Sequence, residues 1–316
     1  MAGNVITTGA HPKLLWPGVH AIWGQMYSEH MEEYSHLYEV KDSSMAYETD
    51  VQVTGFGLAP IKPETQGIAF DGEFQGGITN YVHIAYALGY IVSHEEIMDN
   101  QYKQVAERRA AANAFSMRQT LENVAAFLYN NAFSTTYFTT WDAAALCSNS
   151  HLNAVGGASW GVNAAAGQWS NILSPGADLS EASIEDMCIA IMGAQGDRGL
   201  LINILPVSLH VARNEWFNAN RILKSVLQSG SANNDINVLK ATNALSGGIH
   251  VNHYFTSPHA WFIRTNVPHG MTMFWREHPM FDQDNDFDTK NAKAASYMRL
   301  SVGCTDPRGI FGSNGP

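Results

Sequence analysis

From Ser93 to Phe133 the chain runs without a single glycine or proline and is rich in alanine, which leaves few alternatives to one long helix. Ser93 supplies an N-cap and Glu96 stands three residues on, the spacing of a capping box. Ile97, Val105, Phe115, Leu121, Val124 and Leu128 can share a broad apolar stripe along it. A helix of roughly 35 to 40 residues would extend on the order of 55 Å, against about 11 to 12 residues for an average one. Such a rod spans a molecule, so the remaining segments have to be laid along it.

Those segments change character on either side. Residues 1 to about 50 are rich in Gly, His, Trp and Tyr and show helical periodicity only from Pro17 to Tyr38, which predicts an extended arm with a short helix. Residues 51–92 break into short β-rich pieces around "APIKPETQG" and "QGG", the pattern of a long, exposed β-hairpin. After a Gly-rich, polar stretch from Asn149 to Gly176, a second capped helix starts near Asp178 or Ser180. The strand "INILPVSLHV", the helix "NEWFNANRILKSVL" and the strands "GIHVNHYF", "HAWFIRT" and "GMTMFWRE" follow, together an α+β unit. "AKAASYMRLSVGC" alternates as a strand and would pair with "MTMFWREHPMF". No internal repeat or low-complexity linker is visible.

That last pairing gives a place to the most unusual charge pattern in the chain. "FDQDNDFDTKN" sets Asp282, Asp284, Asp286 and Asp288 at every second position, at or beside the tip of a hairpin. An EF-hand loop begun at Asp282 needs glycine at its sixth position and glutamate at its twelfth. Phe287 and Lys293 stand there, and starting at Asp284 gives Thr289 and Ala295. A calcium loop is excluded, and no metal is expected.

Bulk properties remove further classes. The 316 residues are 45% hydrophobic and 15% charged with a formal net charge of −11, so phosphate neutralisation by a basic surface is disfavoured. Cys147, Cys188 and Cys304 lie far apart with no CxxC pair, the usage of a reduced, intracellular protein. Neither a signal peptide nor a membrane span is expected, the most apolar stretch being the interrupted "LLINILPVSLHVA".

Catalytic motifs are thin. Gly157-x-Ser159-x-Gly161 matches a nucleophile elbow, but the residues before it are too polar and Gly-rich for the buried strand an elbow requires. Cys147 and His151, four residues apart, could pair as a nucleophile or half a zinc site; a packed thiol and a loop histidine are the simpler reading. His94, Glu95 and Glu96 are explained by the start of a helix. GxxxxGK[ST] and GxGxxG are absent, so no cofactor is expected.

The order of the remaining motifs resembles that of the major capsid proteins of tailed bacteriophages, most closely the Mu-type major head subunits. The residues that carry the resemblance are "TGFGLAPIKPETQGIAFD", "YALGYIVSHEEIMDNQY", "LCSNSH", "DLSEASIEDM", "DRGLLINILPVSLHV", "ANRILKS", "NNDINVLK", "DNDFDT" and "DPRGIFG", spanning about residues 50 to 312. The resemblance implies an α+β protein of the Hong Kong 97-type phage capsid fold. Residues 1–50 would be an N-terminal arm, 51–92 the extended loop, and 93–150 a peripheral domain with a long spine helix. Residues 151–270 would be an axial domain, and 271–316 would return to the peripheral domain.

The implied function is structural. Hexamers and pentamers of the chain would close into an icosahedral head around double-stranded DNA, held by many weak contacts and without sequence-specific DNA contact. Scaffolding, portal and decoration proteins are the implied partners. The place is the virion capsid, assembled in the bacterial host cytoplasm. A non-covalent shell and a separate scaffolding protein are expected. Asp282, Asp284, Asp286 and Asp288, Lys62 and Glu64 in the loop, and Trp16 and Trp23 in the arm are the candidate inter-subunit contacts; for the tryptophans, packing within the chain is the competing reading. Two other functions compete with this one: an encapsulin-like compartment for protein cargo, and a hydrolase using Ser159 or Cys147.

Overall fold

A computed structural model describes residues 16–93, 95–96, 102–153, 159–228, 235–286, 288 and 291–315. The expected long helix is there as α1′s partner rather than as a bare rod. Helix α1 (Trp16–Glu29) and the single turn α2 (Tyr34–Leu37) lie against α3 (Tyr102–Asn130). With 29 residues, α3 is about 43 Å long. Its first turns as expected from Ser93 fall partly outside the described residues, though Ser93 Oγ accepts the Glu96 N–H at 3.2 Å as a cap should. The buried face differs from the expected stripe: Ala106, Ala110, Ala114, Met117, Leu121, Ala125 and Leu128 are buried, while Phe115 is 44% exposed. Small residues on that face let α1 approach closely. The helix expected in the arm between Pro17 and Tyr38 is there as α1 and α2, and from residue 16 onward the arm is docked on the body.

Two four-stranded sheets carry most of the rest, beside a two-stranded hairpin and the short pair β5 (His151–Leu152) with β6 (Gln168–Trp169). The first has the order β1-β10-β11-β4, from Glu39–Asp42, Met271–Asn285, Ala292–Cys304 and Ile84–Val92. β10 and β11 form the long antiparallel hairpin that the alternating sequence indicates, and β1 adds to β10 in parallel. Their register shifts between Trp275 and Met280, where Pro279 has no N–H to give the ladder. Buried Met273, Trp275, Phe281, Met298 and Leu300 share one core with α1 and α3.

The second sheet has the order β12-β9-β7-β8, from Ile310–Asn314, Ala260–Thr265, Pro206–Ala212 and Gly248–Asn252. β7 and β8 are parallel and are joined through the helix α5 (Trp216–Lys224) and the turn α6 (Val238–Ala241), since parallel neighbours need a crossover. Helix α4 (Glu181–Met192) is capped as expected, Ser180 Oγ accepting the Ser183 N–H at 3.1 Å. Ile184, Met187, Leu209, Trp261 and Phe311 fill this second core.

Two expectations need correction. The hairpin does not run from 51 to 92: β2 (Tyr47–Thr54) pairs only with β3 (Phe74–Val82), and after His83 the chain leaves as β4 to join the first sheet. Residues 271–316 do not all stay with the long hairpin either, because β12 pairs with β9 and completes the second sheet. Both errors have one cause. Alternation identifies a strand but not its partner.

Candidate assembly surface

Between β2 and β3 the chain makes no sheet and little contact with its own body. Every residue from Gly55 to Gln75 except Gly57 is exposed, and the large apolar side chains go with them. Ile61 is 94% exposed, Phe70 95%, Leu58 81% and Ile68 70%. Lys62 and Glu64 stand exposed at the same tip, where the Gln66 N–H donates to Pro63 O and Thr65 takes a φ of 69°. A cluster of this size left in water is the usual mark of a surface meant to be covered.

The base of this loop is held firmly. Asp71 accepts Arg198 Nη1 at 2.5 Å and the Gly57 N–H at 2.7 Å, and the backbone bonds, with Arg198, hold its carboxyl below the usual range. Asp50 accepts Thr305 Oγ1 at 2.9 Å and bonds His269 Nδ1 at 2.9 Å. Trp141 lies flat over Gly77, where a Cβ would come within 2.1 Å of the indole. Any side chain at 77 would push the hairpin off its seat. Anchored root and uncovered tip make the loop a lever rather than a floppy connection.

The acidic run lies, as the alternation indicates, at the tip of the β10–β11 hairpin. Asp282 and Asp284 face solvent on one side of β10 while Phe281 between strands is buried and stacks on Trp23 at 5.4 Å. The four carboxylates are not equivalent. Asp286 closes the turn: it accepts Lys293 Nζ at 2.6 Å and the Asp288 N–H at 3.1 Å, and its own N–H donates to Asn291 O at 2.9 Å. Lys293 also stands directly across the ladder from Asp284. Part of the charge compensation is thus supplied by the hairpin itself. Phe287, Thr289 and Lys290 lie outside the described residues. Among the described residues no group of three or more His, Cys, Asp or Glu is arranged to hold a metal ion.

The two tryptophans part company. Trp23 is 5% exposed, donates Nε1–H to Asn113 Oδ1 at 2.9 Å and stacks between Tyr27 and Phe281. Packing within the chain takes this side chain, so it leaves the set of inter-subunit candidates. Trp16 opens α1, and its side chain lies outside what the structure describes.

The hydrolase candidates come apart as well. Cys147 is buried, and burial pushes its thiol far above the ordinary range, so little thiolate exists to attack anything. Ser159 Oγ is spent on its own loop, donating to Ala165 O at 2.9 Å and accepting the Gly167 N–H at 2.8 Å. His151 is fully buried with Nδ1 on Asp142 Oδ2 at 2.9 Å, and its Nε2 meets no partner. Burial opposes the Asp142 carboxylate, yet bonds from His151, Thr140 and the Leu152 N–H outweigh it and hold the group down at about 2. Trp169 stacks on His151 at 4.5 Å and on Trp160 at 4.7 Å. This is a buried polar brace, with no nucleophile at the imidazole.

A sequence model of the phage capsid protein family matches residues 78–312. Among solved structures, a chain of Mycobacterium phage Patience is 11% identical, with a TM-score of 0.53 over 98% of this chain and 89% of that one. A virus-like particle from Pyrococcus furiosus is 11% identical, with a TM-score of 0.52 over 94% of this chain and 98% of that one. A chain of Microbacterium phage Oxtober96 is 10% identical, with a TM-score of 0.51 over 91% and 92%. No curated protein sequence matches. The α+β architecture is that of the Hong Kong 97-type capsid fold.

Proposed function

The chain belongs to the phage capsid protein family, and from that premise we propose how this structural major capsid protein builds its shell. Copies associate as hexamers and pentamers, and the loop between β2 and β3 reaches across to a neighbouring subunit. The observation that carries this reading is the exposure of Ile61 and Phe70, 94% and 95%, on a loop whose root is fixed. In this reading residues 93–150 form the peripheral domain with α3 as its spine. The second sheet and its helices form the axial domain at the capsomer centre, and residues 16–42 are the part of the arm already docked.

Purified protein viewed by electron microscopy should show shells or capsomers; a uniform small monomer at all concentrations would overturn the proposal. Replacing Ile61 and Phe70 together by serine should abolish shells while leaving subunit stability within about 0.5 kcal/mol, as for exposed substitutions generally. Analytical sedimentation and a urea melt measure both halves of that statement. Shells at wild-type yield would show that the tip is not the contact.

The acidic tip takes a second, smaller part. Asp282, exposed on β10, meets Arg or Lys of a neighbouring subunit where capsomers join, with Asp284 beside it across the ladder from Lys293, while Asp286 serves the turn; Lys62 and Glu64 make polar contacts at the loop tip. Replacing Asp282 and Asp284 by asparagine should lower the urea concentration at which shells fall apart more than the midpoint of subunit unfolding. Equal shifts would mean a merely solvated turn.

The shell encloses double-stranded DNA without reading it, in keeping with the net charge of −11. It is assembled in the bacterial cytoplasm with scaffolding, portal and decoration proteins and without covalent cross-links. The chain has no catalytic role in this reading. Purified particles that held enzyme cargo and no nucleic acid would point to a compartment instead.

A further inference from the structure

Three imidazoles from three separate elements are stacked in a row beneath the arm. His36 of α2 lies on His250 of β8 with ring centroids 4.0 Å apart and planes 20° from parallel. His250 in turn lies on His210 of β7 at 5.3 Å and 22°, the two being paired across the parallel ladder. Burial rises along the row: His36 is exposed, His250 half-buried and His210 1% exposed. The stack is one of the places at which the arm touches the second sheet, beside the Arg264 bond to His36 O.

We propose that this His36–His250–His210 stack is a proton-operated release, which frees arm residues 33–38 from the second sheet when the surroundings become acidic. Neutral rings attract one another face to face. A proton on His250 places a cation against both neighbouring rings, one on His210 places it against His250, and the surroundings do not compensate it. From β9, Arg264 is already present, donating Nη1–H to His36 O at 3.0 Å. From α3, Tyr129 packs on His210 at 6.3 Å and spends its hydroxyl on Leu37 O. Within β7, Ser208 Oγ bonds His210 Nε2 at 2.8 Å.

The nearest carboxylates are committed elsewhere. Glu33 is bound to the His253 backbone N–H at 2.8 Å and to its ring, Glu32 to Arg118 at 3.0 Å, and Glu122 accepts the Glu33 N–H at 3.0 Å. Burial lowers His210 well below the ordinary imidazole value, with His250, Arg264 and His36 adding to it. Burial also lowers His250, again with His36 adding to the shift. Groups lowered in the folded state stabilise it above their unfolded value of about 6.5, and that contribution is lost as pH falls through the folded values. Acid is therefore the releasing direction. The inference rests on the chain's own contacts and stands whether or not the loop tip is the inter-subunit contact.

Hydrogen exchange of the full-length subunit, followed by mass spectrometry at about pH 7.5 and about pH 5 and corrected for intrinsic rates, tests it. Amides of residues 33–38 should lose about tenfold or more in protection at the lower pH while those of β1, α3 and β9 keep theirs. His250→Phe, which keeps a flat ring in the middle of the stack and removes its ionisable group, should hold the loss below about threefold. Equal protection of the wild type at both values, or an equal loss in His250→Phe, overturns the proposal. If His250→Phe does not fold, histidine ring titration by NMR in the wild type decides. The His250 signal must titrate together with the loss of arm amides, and titration that leaves those amides intact overturns it.

Discussion

Replacing Arg308 by alanine is expected to lower the unfolding free energy by about 3–5 kcal/mol, the cost of leaving buried charge without its partner. The guanidinium is 6% exposed on the turn Pro307–Gly309. Nε–H reaches Asp306 Oδ1 at 2.9 Å and Oδ2 at 3.1 Å, Nη2 reaches Asp197 Oδ2 at 3.3 Å, and Nη1 reaches Gln195 O at 3.3 Å. Burial alone would make the guanidinium easier to deprotonate, but Asp306 and Asp197 more than reverse that. Asp197, 7% exposed, also accepts Gln52 Nε2 of β2 at 3.3 Å. The pair thus links the closing turn, the 195–199 loop and the root of the extended hairpin. Urea unfolding gives the magnitude. Changing Arg308 to Met together with Asp197 to Leu and Asp306 to Asn should recover a large part of the loss, because neither partner carboxylate is then left stranded. A triple variant as unstable as Arg308→Ala would show that shape, not charge, is what the site requires.

The second large effect concerns a carboxyl hidden under the arm. Glu122 is fully buried in the middle of α3, one oxygen accepting the Glu33 N–H at 3.0 Å and the other without a partner. Burial pushes it up to about 7; the Glu33 N–H and Arg118 oppose the shift, and the Glu33 carboxylate adds to it. An acid raised on folding supports the fold fully below its unfolded value of about 4.3, and that support is lost as pH rises through about 7. Glu122→Gln keeps the acceptor and removes the titration. It should therefore be more stable than the wild type by about 2–3 kcal/mol at about pH 8.5 and indistinguishable from it at about pH 4. Urea midpoints at the two pH values provide the check, and a pH-independent difference would remove the titration from the explanation.

Some of this was open to reading in the sequence and some was not, for physical reasons. The Ser180 cap, the β10–β11 hairpin and its acidic tip follow from local rules: side-chain oxygens capping N–H groups, and alternation with period two. The family likeness rested on the same local motifs. Partners at long range left no such trace. Nothing in "IAYALGYIV" says that β4 abandons the hairpin for β11, and nothing in "EVKD" says that β1 runs parallel to β10.

Arg118 and Glu122 look like an ordinary solvent pair at helical spacing, whereas both are buried because α1 and α2 lie over them. The same docking hides Trp23. In the candidate surface, the exposed tip was legible because turn residues surround its apolar side chains; the charge pairing of Lys293 with Asp286 depended on a register that only the folded hairpin supplies.

The placement of β12 also bears on the order in which the protein can be made. A ribosome delivers β7, β8 and β9 first, then the whole β10–β11 hairpin of the other sheet, and only afterwards the strand that pairs with β9. Until Ile310–Asn314 has emerged, the edge from Ala260 to Thr265 has no partner, and Phe311, fully buried in the finished core, is not there to seal it. Open edges of this kind recruit other chains. A chain stopped short of residue 310 therefore leaves that edge open and the core beneath it unsealed.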